Sequence, residues 1–203
     1  ALPDDGYFVD DLTQVGYVID KVAALPDDGY FVDDLTQVGY VSRTELPIYE
    51  PRTYISPGYQ GTLGWSYATA LGVKVAHPDK AVVSISGDGG FMFNVQELST
   101  AVKHNINLVH VIFSDGAYGN VQRMQKKDHG GRVIATDLDN PDFVKLADAF
   151  GALGLRAHTA DELHAAIRQA FDAERPTLID VPVGEMPAPW SLYFLPRNRP
   201  AKG

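Results

Sequence analysis

Short, mostly apolar runs alternate along this chain with longer stretches in which apolar residues recur every three or four positions. Residues 81–86, 108–113 and 176–181 have the length and the Val/Ile content of strands buried on both faces. Two other runs, 30–33 and 52–56, read as further strands. Helices are predicted over 36–44, over 61–76, near 91–104 and near 118–127; in the third, Phe91, Val95, Leu98 and Val102 fall at helical spacing. Asn140-Pro141 reads as an N-cap followed by proline at the first helical position. The helix it opens has Phe143, Leu146, Ala147 and Phe150 on one face, and Gly151 suits its C-terminal end. Thr159-Ala160-Asp161-Glu162 is a capping-box pattern ahead of a stripe of Leu163, Ala166, Ile167, Ala170 and Phe171. Buried strands alternating with amphipathic helices predict an α/β fold: a doubly wound, mostly parallel sheet with helices on both faces.

The chemistry concentrates where two of these strands end. The 81–86 run leads into Gly87-Asp88-Gly89-Gly90, and the 108–113 run into Ser114-Asp115-Gly116-Ala117-Tyr118-Gly119. In open α/β sheets that edge is where ligands bind. Asp88 and Asp115 lie 27 positions apart, and a helix plus the return strand fills the gap, so the two strand ends are expected to be neighbours. Paired carboxylates suit Mg²⁺ or Ca²⁺ and the phosphate groups such a cation carries. Backbone N–H groups at Gly89 and Gly90 would favour a phosphate. Asp-Gly pairs are also ordinary turn formers. The residues alone therefore leave open an enzyme, a non-catalytic flavodoxin-like module holding Mg²⁺ and a phosphorylated ligand, and a pair of plain turns.

Composition narrows the field. Seventeen basic against 26 acidic side chains give a net charge of −9, with no basic stripe, which argues against nucleic-acid binding. There is no cysteine, hence no disulfide, thiolate metal site or iron–sulfur cluster. No apolar stretch approaches a membrane span and no signal peptide is visible, so a cytoplasmic protein is expected. The six histidines show no metal-ligand spacing, and His110 on a buried strand reads as a core histidine. One anomaly stands outside this pattern. Residues 1–18 recur unchanged as residues 24–41, separated by Ile19-Asp20-Lys21-Val22-Ala23. The chain is accordingly divided into a duplicated segment over 1–23, a binding domain over 24–186 and a proline-rich tail over 187–203.

Gly87-Asp88-Gly89 followed by the Ser114-Asp115 turn resembles the cofactor motif of thiamine-diphosphate-dependent enzymes. Over roughly residues 24–185 the chain is similar to the C-terminal, diphosphate-binding domain of the acetolactate synthase and 2-oxo acid decarboxylase group. The stretch from Gly89 through Phe91, Met92, Phe93, Asn94, Val95, Gln96 and Glu97 to Leu98 is especially like acetolactate synthase. The resemblance implies thiamine diphosphate and Mg²⁺ as cofactors, with Asp88, Asp115 and the carbonyl of Ala117 as metal ligands. It further implies cofactor contacts from Gln37, Gly61, Thr62, Leu63, Gly87, Gly89, Gly90, Tyr118 and Gly119. Leu63 would prop the cofactor into its bent form, and the carbonyl of Gly61 would accept from its aminopyrimidine. Three positions depart from the family pattern: Asp115 stands where asparagine is usual, and Val38 and Met124 stand where acetolactate synthases carry histidine and tryptophan.

The glutamate that activates the cofactor in this family comes from a separate pyrimidine-binding domain, and no glutamate of this chain lies in a matching context. The resemblance thus implies a diphosphate half-site. Its partner would be that domain, from the same or another chain, its substrate a small 2-oxo acid, and its assembly a homo-oligomer. Either a fragment of a longer enzyme or a separate subunit fits.

Overall fold

The computed structural model describes residues 24–186. The duplicated segment and the proline-rich tail, with Tyr193 and Phe194, lie outside the described residues.

The strands are β1 (Tyr30–Val32), β2 (Tyr54–Ile55), β3 (Val82–Gly87), β4 (Val109–Ser114), β5 (Leu153–Arg156) and β6 (Thr177–Pro182). The helices are α1 (Gln37–Glu45), α2 (Trp65–Ala76), α3 (Asp88–Met92), α4 (Leu98–Lys103), α5 (Gly119–Asp128), α6 (Phe143–Phe150) and α7 (Ala160–Asp172). All six strands form one sheet in the order β2-β1-β3-β4-β6-β5. Every pairing is parallel.

Alternation along the strands divides the core into two layers. Val109, Val111 and Phe113 pack with Val38 and Val41 of α1 and with Leu163 and Ile167 of α7. Leu108 and Ile112 point the other way, against Tyr67 and Leu71 of α2, Leu98 of α4 and Phe143 of α6. Helices therefore cover both faces, as the sequence pattern requires of a doubly wound sheet. The chain runs from β1 outward to β2, then returns to place β3 on the opposite side of β1. That reversal opens a crevice at the C-terminal ends of β1 and β3, the place where this architecture holds ligands.

Four local expectations are revised. The helix predicted near 91–104 begins instead at Asp88 and is broken. α3 stops at Met92, a tight turn spans Val95–Glu97, and α4 resumes at Leu98. The break falls at Asn94, whose backbone leaves the helical region at φ −128° and ψ 22° while its side chain donates to the carbonyl of Gly64. The helix predicted from Gly61 starts at Trp65, because Gly61 and Gly64 adopt left-handed conformations at φ 58° and 78°. Asn140 does not cap α6; Asp142 does, accepting from the N–H of Val144 at 3.1 Å. Strand β5 was not foreseen at all. It is a short edge strand, and a Cβ at Gly154 would lie 2.6 Å from the carbonyl oxygen of Val144, so glycine lets α6 pack directly onto it.

The ends of α6 and α7 otherwise follow expectation. Gly151 closes α6 in the left-handed region at φ 85°. Thr159 accepts from the N–H of Glu162 at 3.2 Å, and Glu162 accepts in return from the N–H of His158 at 2.7 Å.

Candidate diphosphate and metal site

Each wall of the crevice begins as a strand and ends as a turn. β3 delivers Gly87 and Asp88, β4 delivers Asp115, and the turn after β1 brings Leu35, Thr36 and Gln37 to the same place. The cleft they form holds about 110 Å³. That is below the roughly 300–1,000 Å³ typical of small-molecule pockets.

Asp88 is buried at 1% exposure. Its Oδ1 accepts from the N–H of Gly89 at 2.8 Å. Its Oδ2 accepts from the N–H of Gly116 at 2.8 Å and from Asn140 Nδ2 at 2.6 Å. Burial raises its pKa, and these three donors oppose the rise. The bond to Gly116 ties the turn after β3 to the turn after β4, so the two carboxylates are neighbours as expected. Asp115 accepts from the N–H of Ala117 at 3.2 Å. Burial, and after it the charge of Asp88, push Asp115 up to about 6. Arg123 acts in the opposite sense on Asp115 and also donates to Gln37 Oε1 and to the carbonyl of Met186.

The glycines let neighbouring side chains approach the backbone more closely than a Cβ would allow. A Cβ at Gly119 would fall on the Asp115 carboxylate and 2.8 Å from Gln37 Nε2. At Gly89 it would meet Tyr118 Cε1 at 2.6 Å. Residues 136–138 brace the second turn from outside: the N–H of Tyr118 donates to Thr136 O and that of Leu138 to Gly116 O, both at 2.8 Å. Neither bond uses the carbonyl of Ala117, which sits between them.

Of the twelve sequence-predicted residues, Gln37, Leu63, Gly87, Asp88, Gly89, Gly90, Asp115, Ala117, Tyr118 and Gly119 line the cleft. Gly61 and Thr62 do not line it, although a Cβ at Gly61 would touch the cleft residue Leu35 at 3.4 Å. Of the two glycine N–H groups expected to favour a phosphate, that of Gly89 donates to Asp88 Oδ1 in this structure. Sequence reasoning missed Asn140, Leu35, Thr36, Tyr40, Asn120 and Met186. Asn140 carried no readable signal, because its partner lies 52 residues away.

His110 is fully buried and stays out of the site. Its two ring nitrogens pair with Ser84 Oγ at 2.7 Å and Ser86 Oγ at 2.8 Å, and burial lowers its pKa to about 3. It is a neutral core residue stacked on Phe91, as the sequence suggested. Among the described residues no group of three metal-ligating side chains is present, and no helix is long and apolar enough to cross a membrane.

Comparison with known proteins agrees with this geometry. Acetolactate synthase of Bacillus subtilis is 43% identical over 135 residues, which are 66% of this chain and 24% of that protein. The acetolactate synthase large subunit of Haemophilus influenzae is 38% identical over 141 residues, 68% of this chain and 25% of that protein. The chain thus spans about a quarter of the length of these curated relatives. Among solved structures, the thiamine diphosphate-dependent 4-hydroxybenzoylformate decarboxylase of Rhodococcus jostii RHA1 matches with a TM-score of 0.79 and 28% identity over 91% of this chain and 34% of that one. Benzoylformate decarboxylase from Polynucleobacter necessarius matches with a TM-score of 0.76 and 25% identity over 91% and 35%. The family model for the thiamine pyrophosphate enzyme, C-terminal TPP binding domain, matches residues 34–181, from the turn that enters the crevice to the last core strand. With its motif aspartate seated at the switch point of the sheet, the chain belongs to the thiamine pyrophosphate enzymes, as their C-terminal TPP-binding domain.

Proposed function

We propose that this chain holds the diphosphate of thiamine diphosphate through Mg²⁺, as one half of the active site of an enzyme that decarboxylates or carboligates small 2-oxo acids. The observation that carries the reading is the pair of carboxylates, buried Asp88 and half-buried Asp115, on neighbouring strand ends beside glycine turns. The charge of Asp88 adds to desolvation in raising the proton affinity of Asp115, and a divalent cation held by these carboxylates would relieve that penalty. Oxygen donors of this kind suit Mg²⁺. Asp88, Asp115 and the carbonyl of Ala117 would hold the metal. Gly90 and Gly119 let Asp34 and Asp115 pack closely against the two turns, and Gln37 and Tyr118 would border the phosphates. Leu63 would support the organic part of the cofactor. When bound, thiamine diphosphate supplies the carbanion chemistry, and the protein supplies position and electrostatics.

The chain's own residues do no proton transfer in this account. Among the described residues lining the cleft, Asp88 and Asp115 are the only acids, and both are committed to the metal. The activating glutamate would come from a pyrimidine-binding domain that also covers the exposed Tyr59, Phe93 and Met124, apolar surface of the sort a partner buries. A homo-oligomer and a soluble, cytoplasmic setting complete the proposal. The test is turnover and binding together. The full 203-residue chain should bind the Mg²⁺ complex of thiamine diphosphate, and Asp88→Ala should abolish that binding. The chain alone should release no CO₂ from pyruvate or benzoylformate. Binding that survives Asp88→Ala, or steady turnover by the chain alone, contradicts the assignment.

A further inference from the structure

Asp34 is 1% exposed, yet no metal role falls to it, and its hydrogen-bond donors among the described residues are uncharged. Its carboxylate accepts from three donors on two segments of the chain. Oδ1 accepts from the N–H of Leu35 at 2.7 Å. Oδ2 accepts from the N–H of Gly64 at 3.0 Å and from Ser66 Oγ at 3.3 Å. Oδ2 also lies where a Cβ on Gly90 would come within 3.1 Å, so the carboxylate packs against the glycine turn that follows Asp88. Gly64 is the N-cap position of α2 and has no side chain with which to cap it. Asp34 takes over that function from another part of the chain, a negative group at the positive end of a helix. The carbonyl of the same Gly64 accepts from Asn94 Nδ2, and Asn94 is the residue at which the 91–104 helix breaks. Gly64 is thus gripped on both of its polar groups, by Asp34 from the β1 turn and by Asn94 from the end of α3.

Leu63 directly precedes this clamp. It lines the cleft while remaining 37% exposed, so the backbone at Gly64 shares in setting its place. The left-handed conformation of Gly64 and its two hydrogen bonds determine where Leu63 stands. We infer that Asp34 and Asn94 are positioning residues: they lock Gly64 and thereby hold Leu63 against the organic portion of the cofactor, without touching the diphosphate. This rests on the reading of the cleft as a diphosphate and metal site.

The test separates the two halves of the ligand. The full chain is titrated calorimetrically, in Mg²⁺, with thiamine diphosphate and in parallel with inorganic pyrophosphate. The parent should bind both, and thiamine diphosphate the more tightly. Asp34→Asn and Asn94→Ala should each keep pyrophosphate affinity within about twofold of the parent. Each should reduce the preference for thiamine diphosphate about tenfold, an effect of the size expected when a positioned contact is loosened. Asn94→Ala lies at a break between helices and keeps the test alive if Asp34→Asn fails to fold. Variants that lose both ligands in parallel would show a merely structural role and overturn the inference, as would variants whose preference is unchanged. A parent that binds neither ligand would refute the diphosphate reading itself.

Discussion

Replacing Asp115 by asparagine should make the metal-free chain more stable, and the gain should depend on pH. Desolvation, and after it the charge of Asp88, push the carboxyl of Asp115 up to about 6 in the folded chain, from about 4 for a free aspartate. Because the folded value is raised, the native state binds more protons than the unfolded state between those two values, and stability falls as pH rises through that window. Above pH 6 the full penalty is present: a carboxyl moved from about 4 to about 6 carries about 3 kcal/mol. Water at the cleft mouth screens part of it, so a gain of about 1–2 kcal/mol from Asp115→Asn is the working figure. The amide oxygen can still accept from the N–H of Ala117, and asparagine is the residue the family usually carries there, so no new strain is introduced. Urea unfolding of parent and variant, in EDTA, at pH 7.5 and pH 4 measures the gap. It should be largest at pH 7.5 and shrink to about 0.5 kcal/mol at pH 4, where the unfolded carboxylate is itself half protonated. A variant no more stable than the parent at pH 7.5, or a gap that widens on acidification, would refute the claim that desolvation, and after it the charge of Asp88, hold this carboxyl high.

Three further outcomes are expected. His110, with a folded pKa lowered to about 3, makes the native state bind fewer protons than the unfolded state from about pH 6.5 down to 3, so it costs stability on acidification: about 2 kcal/mol between pH 8 and pH 5. Parallel unfolding series should show that His110→Gln, though destabilised overall, loses that part of the pH slope. Gly119→Ala should fold, since alanine is a good helix former at the start of α5, but should weaken Mg²⁺-dependent thiamine diphosphate binding at least tenfold because the added methyl meets Asp115 and Gln37; unaltered calorimetric affinity would show that this wall is not part of the site. Deleting residues 1–23 should leave both the melting temperature and the affinity nearly unchanged, because the second copy already fills β1 and α1 and supplies Gln37; a marked loss of either would give the duplication a structural role.

The parts of the molecule that were legible in its sequence are those whose cause is local. β3 and β4 are continuous apolar runs closed by Asp-Gly turns, and the structure places both where the runs lie. Thr159 and Gly151 act through neighbours one helical turn away, and both behave as read. Leu153–Arg156 could not be read in the same way, because a four-residue strand containing glycine owes its existence to pairing with β6 and to the close approach of α6. Asn140 looked like a cap because local chemistry allows it; a buried carboxylate 52 residues away competes for its amide and wins. Asp34 was invisible for the same reason, since its contact with Gly64 spans 30 positions. The resemblance to a known family supplied most of the cleft residues, but not the side chains that hold the cleft in shape.

The central claim is that Asp88 and Asp115 hold a divalent cation that in turn holds a diphosphate. Its most direct test is a pair of calorimetric titrations of thiamine diphosphate into the full chain, one in Mg²⁺ and one in EDTA. Saturable binding at one site per chain in Mg²⁺, and none in EDTA, is the result the account predicts. Equal binding in both, or binding in neither, would contradict it.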